Sequence, residues 1–174
     1  MQQITLACGN SILVDDGDVS LVERYKWRLR EGSGKNKSYV TRGGRNADGK
    51  LSTIYLHREI MAALPGDVVD HINGDTLDMR RCNLRTTTDA GNAINQRKKS
   101  RNNKGLAVSS RFKGVSIDRR SQKRPWQVKI RIPGSHRKHL GCFASEIEAA
   151  FAYDMASLDV HGDIGRRNFL PLVQ

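Results

Sequence analysis

The sequence predicts an α+β chain in two parts. The N-terminal half is expected to form β-hairpins. The C-terminal part is expected to form a three-stranded antiparallel sheet packed on one helix. Three observations predict this. Short β-prone runs, Ile12-Leu13-Val14 and Tyr39-Val40, are punctuated by turn signals. Residues 126–132, W-Q-V-K-I-R-I, alternate between apolar and polar, the period of a strand with one packed and one wet face. A single helical stretch, S-E-I-E-A-A-F-A-Y-D-M-A-S-L-D-V-H-G, begins at Ser145.

The elements follow in order. Asn46-Ala47-Asp48-Gly49 lies between Tyr39–Arg42 and Thr53–Leu56 and predicts a hairpin. Residues 57–64, H-R-E-I-M-A-A-L, suit a short helix stopped by Pro65-Gly66. Residues 68–84, V-V-D-H-I-N-G-D-T-L-D-M-R-R-C-N-L, start as a strand and break into a loop at Ile72-Asn73-Gly74-Asp75. The chain returns through Cys82-Asn83-Leu84-Arg85, and Thr88 or Asp89 can cap a helix over A-G-N-A-I-N-Q. Residues 96–110 have few apolar anchors and five basic residues, and read as a linker along phosphates. In the C-terminal sheet Trp126, Val128, Ile130 and Ile132 are expected on the packed face, opposite Gln127, Lys129 and Arg131. Pro133-Gly134 turns the chain and His139–Phe143 returns it. Ser145 and Glu148 form a capping box; Ile147, Ala150, Phe151 and Leu158 are expected to cover the sheet, and Gly162 to stop the helix. The division is therefore 1–95, a linker 96–110, and 111–174.

The 174 residues carry 30 Lys+Arg against 18 Asp+Glu, a formal charge of +12. That balance favours anionic partners, chiefly nucleic acid. Its distribution is sharper than its sum. Residues 1–95 hold 13 basic and 12 acidic side chains, residues 96–139 hold 15 and one, and residues 140–174 hold two and five. A surface that only keeps a protein soluble intersperses acids. Cys8, Cys82 and Cys142 form no C-x-x-C pair, which fits a reducing compartment and argues against a structural zinc. The N-terminus lacks the pattern of a secretion signal, and no run approaches the ~18 apolar residues of a membrane span. There is no Gly-rich phosphate loop, and no Ser or Cys nucleophile paired with a base stands out.

The segment around Asp70 carries the chemistry. Hydrolysis of a phosphodiester needs a divalent cation on the scissile phosphate and a base for water. Asp70 offers a hard carboxylate, and His71 a base that is neutral near pH 7. Neighbours on a strand point to opposite faces, so the two converge only where the strand breaks, which Ile72–Asp75 allows. Asn92 and Asn95, three apart, share a face of the following helix.

D-H-I-N-G-D, then N-L-R, then N-x-x-N resembles the HNH nucleases of the homing-endonuclease type, which have a ββα-metal fold. The resemblance covers about residues 54–96, with the lead-in L-H-R-E-I-M. It implies His71 as general base, Asp70 and Asn92 as ligands of one divalent metal, Mg²⁺ or Mn²⁺, and Asn83 as the residue that positions the histidine and holds the loop. His57 and Asn95 match supporting positions. Met79 and Cys82 depart from the usual asparagine and polar residue.

F-K-G-V, W-Q-V-K-I-R, H-L-G-C-F, E-A-A-F-A-Y-D and N-F, within 111–169, are similar to the ethylene-response-factor (apetala-type) DNA-binding domain. That resemblance implies a three-stranded sheet set against the DNA major groove, with contacts mapping to Lys113, Lys129, Arg131, Arg137 and His139. Lys98, Lys99 and Arg101 of the linker are expected to add phosphate contacts. Ser116 stands where the family often has an arginine.

The expected function is a metal-dependent DNA endonuclease, by resemblance a site-specific homing nuclease of a phage or other mobile element. It would leave a 5′ phosphate and a 3′ hydroxyl. One site without a repeat predicts a monomer that nicks double-stranded DNA. No membrane partner and no organic cofactor are expected, and the expected compartment is the cytoplasm of a bacterial or phage-infected cell. The alternative is a DNA-binding regulator or architectural protein with an inactive HNH fold. An RNA-binding protein is a weaker rival, because RNA modules more often present aromatics on the open sheet face. Arg28, Arg30, Lys35 and Lys37 are further candidate DNA contacts in the N-terminal region, whose role the sequence leaves open.

Overall fold

The computed structural model describes residues 1–31, 38–46, 48–101, 105 and 107–169. Lys35, Lys37 and Ala47 lie outside the described residues. The fold is mixed α+β, with several small antiparallel sheets and, among the described residues, four α-helices. The chain divides into two compact units, Met1–Asp89 and Ala90–Gln174. The division falls earlier than the linker expected at 96–110. No helix among the described residues is long and apolar enough to cross a membrane.

The first unit begins with a hairpin of β1 (Gln2–Thr5) and β2 (Ser11–Val14), followed by α1 (Val19–Glu23). Strands β3 (Arg28–Glu31), β4 (Ser38–Arg45) and β5 (Leu51–Tyr55) form a second sheet with β4 in the centre. Helix α2 (Leu56–Ile60) follows directly, and β6 (Val68–His71) then pairs with β7 (Leu84–Thr87). Ile12, Val14, Trp27, Val40, Leu56, Ile60, Met79 and Leu84 meet in one core, so hairpin, sheet, helix and the 72–83 loop share a single apolar centre. Full burial of Met79 alone is worth about 1.5–3 kcal/mol.

Helix α2 is shorter than the expected 57–64. It ends at Ile60, and Ala62 takes a positive φ of 48°. The Arg58 guanidinium accounts for the early stop. It donates to the Leu64 carbonyl (2.8 Å) and the Asp67 carbonyl, folding the chain back before a second turn is complete.

The second unit begins within α3 (Asp89–Asn95), whose first residue belongs to the first unit. Strands β8 (Val115–Ile117), β9 (Trp126–Arg131) and β10 (Arg137–Phe143) form an antiparallel sheet with β9 central. Helix α4 (Glu146–His161) packs on it through a core of Phe112, Val115, Val128, Ile130, Ala149, Ala150 and Tyr153. The alternation along β9 is as expected: Val128 and Ile130 are buried, and Lys129 and Arg131 are exposed. Ile132 lies past the strand end. Ser145 caps α4, its Oγ accepting from the Ile147 N–H at 3.2 Å.

The buried face of α4 is not the expected one. Ala150 is buried, but Ile147, Phe151 and Leu158 are 44%, 46% and 37% exposed. The face against the sheet carries Ala149, Ala150, Tyr153, Asp154 and Ser157. Small side chains let the helix approach a sheet already filled by Val128 and Ile130. The buried Asp154 carboxylate accepts from the Asn168 and Phe169 N–H groups at 2.6 and 2.7 Å, tying the following segment to the helix. Asn168 in turn bonds both backbone groups of Lys113.

Gly114 is the tightest contact of this unit. It has φ +77°, and an added Cβ would lie 1.9 Å from Tyr153 Cδ2. Gly114→Ala combines a left-handed backbone with a clash in a filled core. It is expected to destabilise the protein by at least about 2 kcal/mol, read as a lower urea midpoint with an unchanged m-value.

Candidate active site and basic face

Strand β6 brings Asp70 and His71 to its C-terminal end, and the β6–β7 register sets Asp70 opposite Arg85 and His71 opposite Leu84. The Arg85 Nη2 donates to Asp70 Oδ2 at 3.2 Å, with both side chains largely buried. His71 is 4% exposed. Its ring lies 5.1 Å from the similarly buried ring of His57, in the first turn of α2 beside Tyr39 (5.8 Å) and Tyr55 (5.7 Å). Burial, then the proximity of His71 and Arg58, pushes His57 down to about 3. His57 is therefore neutral and packs as an aromatic wall for His71. Burial first, and then the Asp70 charge, pushes the Tyr39 hydroxyl up.

The loop after His71 is held by Asn83. Its Oδ1 accepts from the Asn73 N–H at 2.9 Å, its Nδ2 donates to the Asp78 carbonyl at 2.8 Å, and its own carbonyl accepts from the Ile72 N–H at 2.8 Å. Gly74, at φ 76°, returns a hydrogen bond to the His71 carbonyl. Asp78 is buried, receives two guanidinium bonds from Arg80 and one from Asn73, and is held below the usual carboxylate range chiefly by Arg80.

The N-terminal hairpin braces this loop, a role the sequence left open. Leu13 pairs with the loop backbone on both sides, its N–H to Leu77 and its carbonyl from Met79. Asp15 accepts from the Arg81 N–H at 2.8 Å, and buried Asp18 takes a two-pronged ion pair from the Arg81 guanidinium. Arg85, Asp78, Tyr39 and Tyr55 were not singled out from sequence. Only Arg85 had a signal there, as the arginine of N-L-R at a cross-strand position to Asp70.

Asn92 is half-buried and Asn95 buried, both on α3 in the second unit. Among the described residues no group of three or more His, Cys, Asp or Glu side chains is arranged to hold a metal. The donor available at β6 is a single hard carboxylate. Mg²⁺ and Mn²⁺ suit such a site, because they accept few protein oxygens and complete their shell with water and substrate phosphate.

In the second unit Lys129, Arg131, Arg137 and His139 are exposed on β9 and β10. The register sets Arg137 directly opposite Arg131, and His139 opposite Lys129. Lys98 and Lys113 stand differently. The Lys98 ammonium donates to the Val115 carbonyl, and Lys113 to the carbonyls of Ile94 and of Gln96 (2.8 Å). Burial draws Lys98 down, and burial followed by the Arg166 charge draws Lys113 down to about 8. Both lysines thus fasten the 94–98 segment to the sheet. Lys99 and Arg101 are exposed, with Arg101 bonded to the Gly105 carbonyl at 2.7 Å. Trp126 is half-buried against the core. No protein-family model matches the chain, and no curated protein matches it.

The buried His57 has a consequence for acid stability. In the unfolded chain it takes up a proton below about 6.5, while in the folded protein it stays neutral down to about 3. The unfolded chain therefore binds the extra proton across that window. The contribution is complete above about pH 6.5 and is lost as pH falls toward 3, at up to about 1.4 kcal/mol per unit. Urea midpoints of His57→Phe are expected to fall less between pH 7.5 and 4.5 than those of the unaltered protein.

Proposed function

We propose that the chain is a metal-dependent DNA endonuclease of the HNH type whose second unit holds duplex DNA. The observation that carries the reading is the adjacent Asp70–His71 pair at the end of β6, beside a loop clamped by Asn83. The basic face supports the DNA half. Like charges placed directly across a sheet destabilise it. A chain that keeps Arg131 against Arg137 gains where a polyanion neutralises both.

The mechanism follows from the groups in place. Asp70 would hold one Mg²⁺ or Mn²⁺, and the resemblance adds the Asn92 amide. When bound, the cation supplies neutralisation of charge on the scissile phosphate and the leaving 3′ oxygen. His71 takes the proton of the attacking water. Asn83 keeps the loop beside His71 in one conformation, and His57 packs against the imidazole without competing for its proton. The products are a 5′ phosphate and a 3′ hydroxyl, and a monomer makes one nick per event. A homing nuclease of a phage or mobile element is the context the resemblance suggests.

One observation favours the second reading, a DNA-binding regulator with an inactive HNH fold. The Arg85 guanidinium already engages the Asp70 carboxylate. Conversion of supercoiled plasmid to open circle, on a library of inserts with Mg²⁺ or Mn²⁺, separates the two. Metal-dependent nicking that falls by about 10²–10⁴ in His71→Ala, with DNA binding retained, is expected of the nuclease. Tight binding without cleavage under either metal would establish the regulator.

The basic face makes a separate prediction. Lys129→Ala with Arg131→Ala and Arg137→Ala is expected to weaken duplex binding. The slope of log K against log[salt] should shrink by about 0.9 for each phosphate that is no longer neutralised. Fluorescence anisotropy across a salt series measures it.

A further inference from the structure

The second unit contains a cavity of about 600 Å³ beside α3 and the sheet, within the ~300–1,000 Å³ range of small-molecule sites. Its lining holds no acidic residue. Lys129, Arg131 and Arg137 contribute exposed cations, and half-buried Lys113 and His161 also line it. The Lys113 ammonium, with three N–H donors, gives two to backbone carbonyls, which leaves one donor for a ligand there. The rest of the lining includes Lys98, Ser116 and Tyr153, and its apolar part is led by Ala90 and Ala93, one turn apart on α3.

Cations on one side and flat apolar walls on the other suit a ligand with a phosphate and a ring body. We infer that this cavity binds a phosphorylated nucleoside, with the phosphate among the Lys and Arg side chains and the base against the α3 wall. The ligand is either a free mononucleotide or an unpaired, 5′-phosphorylated nucleotide of a DNA strand. The second source rests on the DNA-binding reading above. An arginine-lined surface that only tracks a duplex backbone has no use for an apolar wall beside it. A site for one nucleotide needs both, because apolar contact with the base and phosphate pairing are separate contributions.

The test uses the full chain with Ala93→Trp, which fills the cavity from α3 and removes no charge. Ala90→Trp, from the same helix face, serves if the first variant does not fold by circular dichroism. Thymidine 5′-monophosphate is titrated into ¹⁵N-labelled protein, beside thymidine and inorganic phosphate. In parallel, a blunt duplex and the same duplex with one unpaired, 5′-phosphorylated thymidine compete for the protein. Saturable shifts at His161 and Gly134 with the mononucleotide, lost on filling, would support the free ligand. No shift with the mononucleotide, but a preference for the unpaired-end duplex that filling abolishes, would support the strand source. Neither response, or either one unaffected by filling, overturns the pocket. Blunt-duplex binding reports independently on the DNA-binding reading, so the two can fail separately.

Discussion

A loop that carries polar groups into a protein interior must satisfy its own backbone, because an unpaired buried N–H or C=O costs about 1–3 kcal/mol. In the first unit Asn83 meets that demand for the 72–83 segment. Its side-chain amide and its carbonyl reach Ile72, Asn73 and Asp78, so both ends of the loop hang on one buried residue. The other features of the region depend on that clamp. Met79 enters the core beside a backbone pinned to Leu13 through Leu77 and Met79 itself. Arg81 reaches Asp15 and Asp18 because Asn83 sets the turn it precedes. The N-terminal hairpin is a brace for this loop.

The buried pair of histidines is a second consequence of the same packing. Leu56 and Ile60 anchor α2 in the core and set His57 against His71. Burial penalises a charged imidazole in that position, with a smaller contribution from His71 and Arg58 nearby, so His57 stays neutral. The two histidines thereby take different parts, one as wall and one as candidate base. Arg85 sets the complementary constraint on Asp70, holding the carboxylate in an ion pair that a cation would have to share.

The second unit balances charge differently. Its acidic side chains mostly lie after residue 139, on and beyond α4, while its sheet concentrates cations of one sign. Lys98 and Lys113 are turned inward instead, giving their ammoniums to backbone carbonyls. The same bonds place α3 residues beside the sheet and create the cavity lined by Ala90 and Ala93. Fastening and cavity are thus one arrangement.

Much of this was legible locally. The β9 alternation, the Ser145 cap, the hairpin around Asn46–Gly49 and the strand–loop–strand–helix order of 68–95 depend on neighbours within a few residues, and short-range sterics and hydrogen bonding suffice to set them. So did the adjacency of Asp70 and His71. Other features required the folded chain. Which face of α4 is buried depended on how much room Val128 and Ile130 left, and small residues won over Ile147, Phe151 and Leu158. The length of α2 was decided by Arg58 reaching carbonyls up to nine residues away. The partners of Arg81, Lys98 and Lys113 are distant in sequence, so periodicity could mark them only as basic. Sequence by itself determined the local conformations and the charge asymmetry; tertiary structure decided which polar groups became anchored in the interior, because desolvation acts only once distant segments close around them.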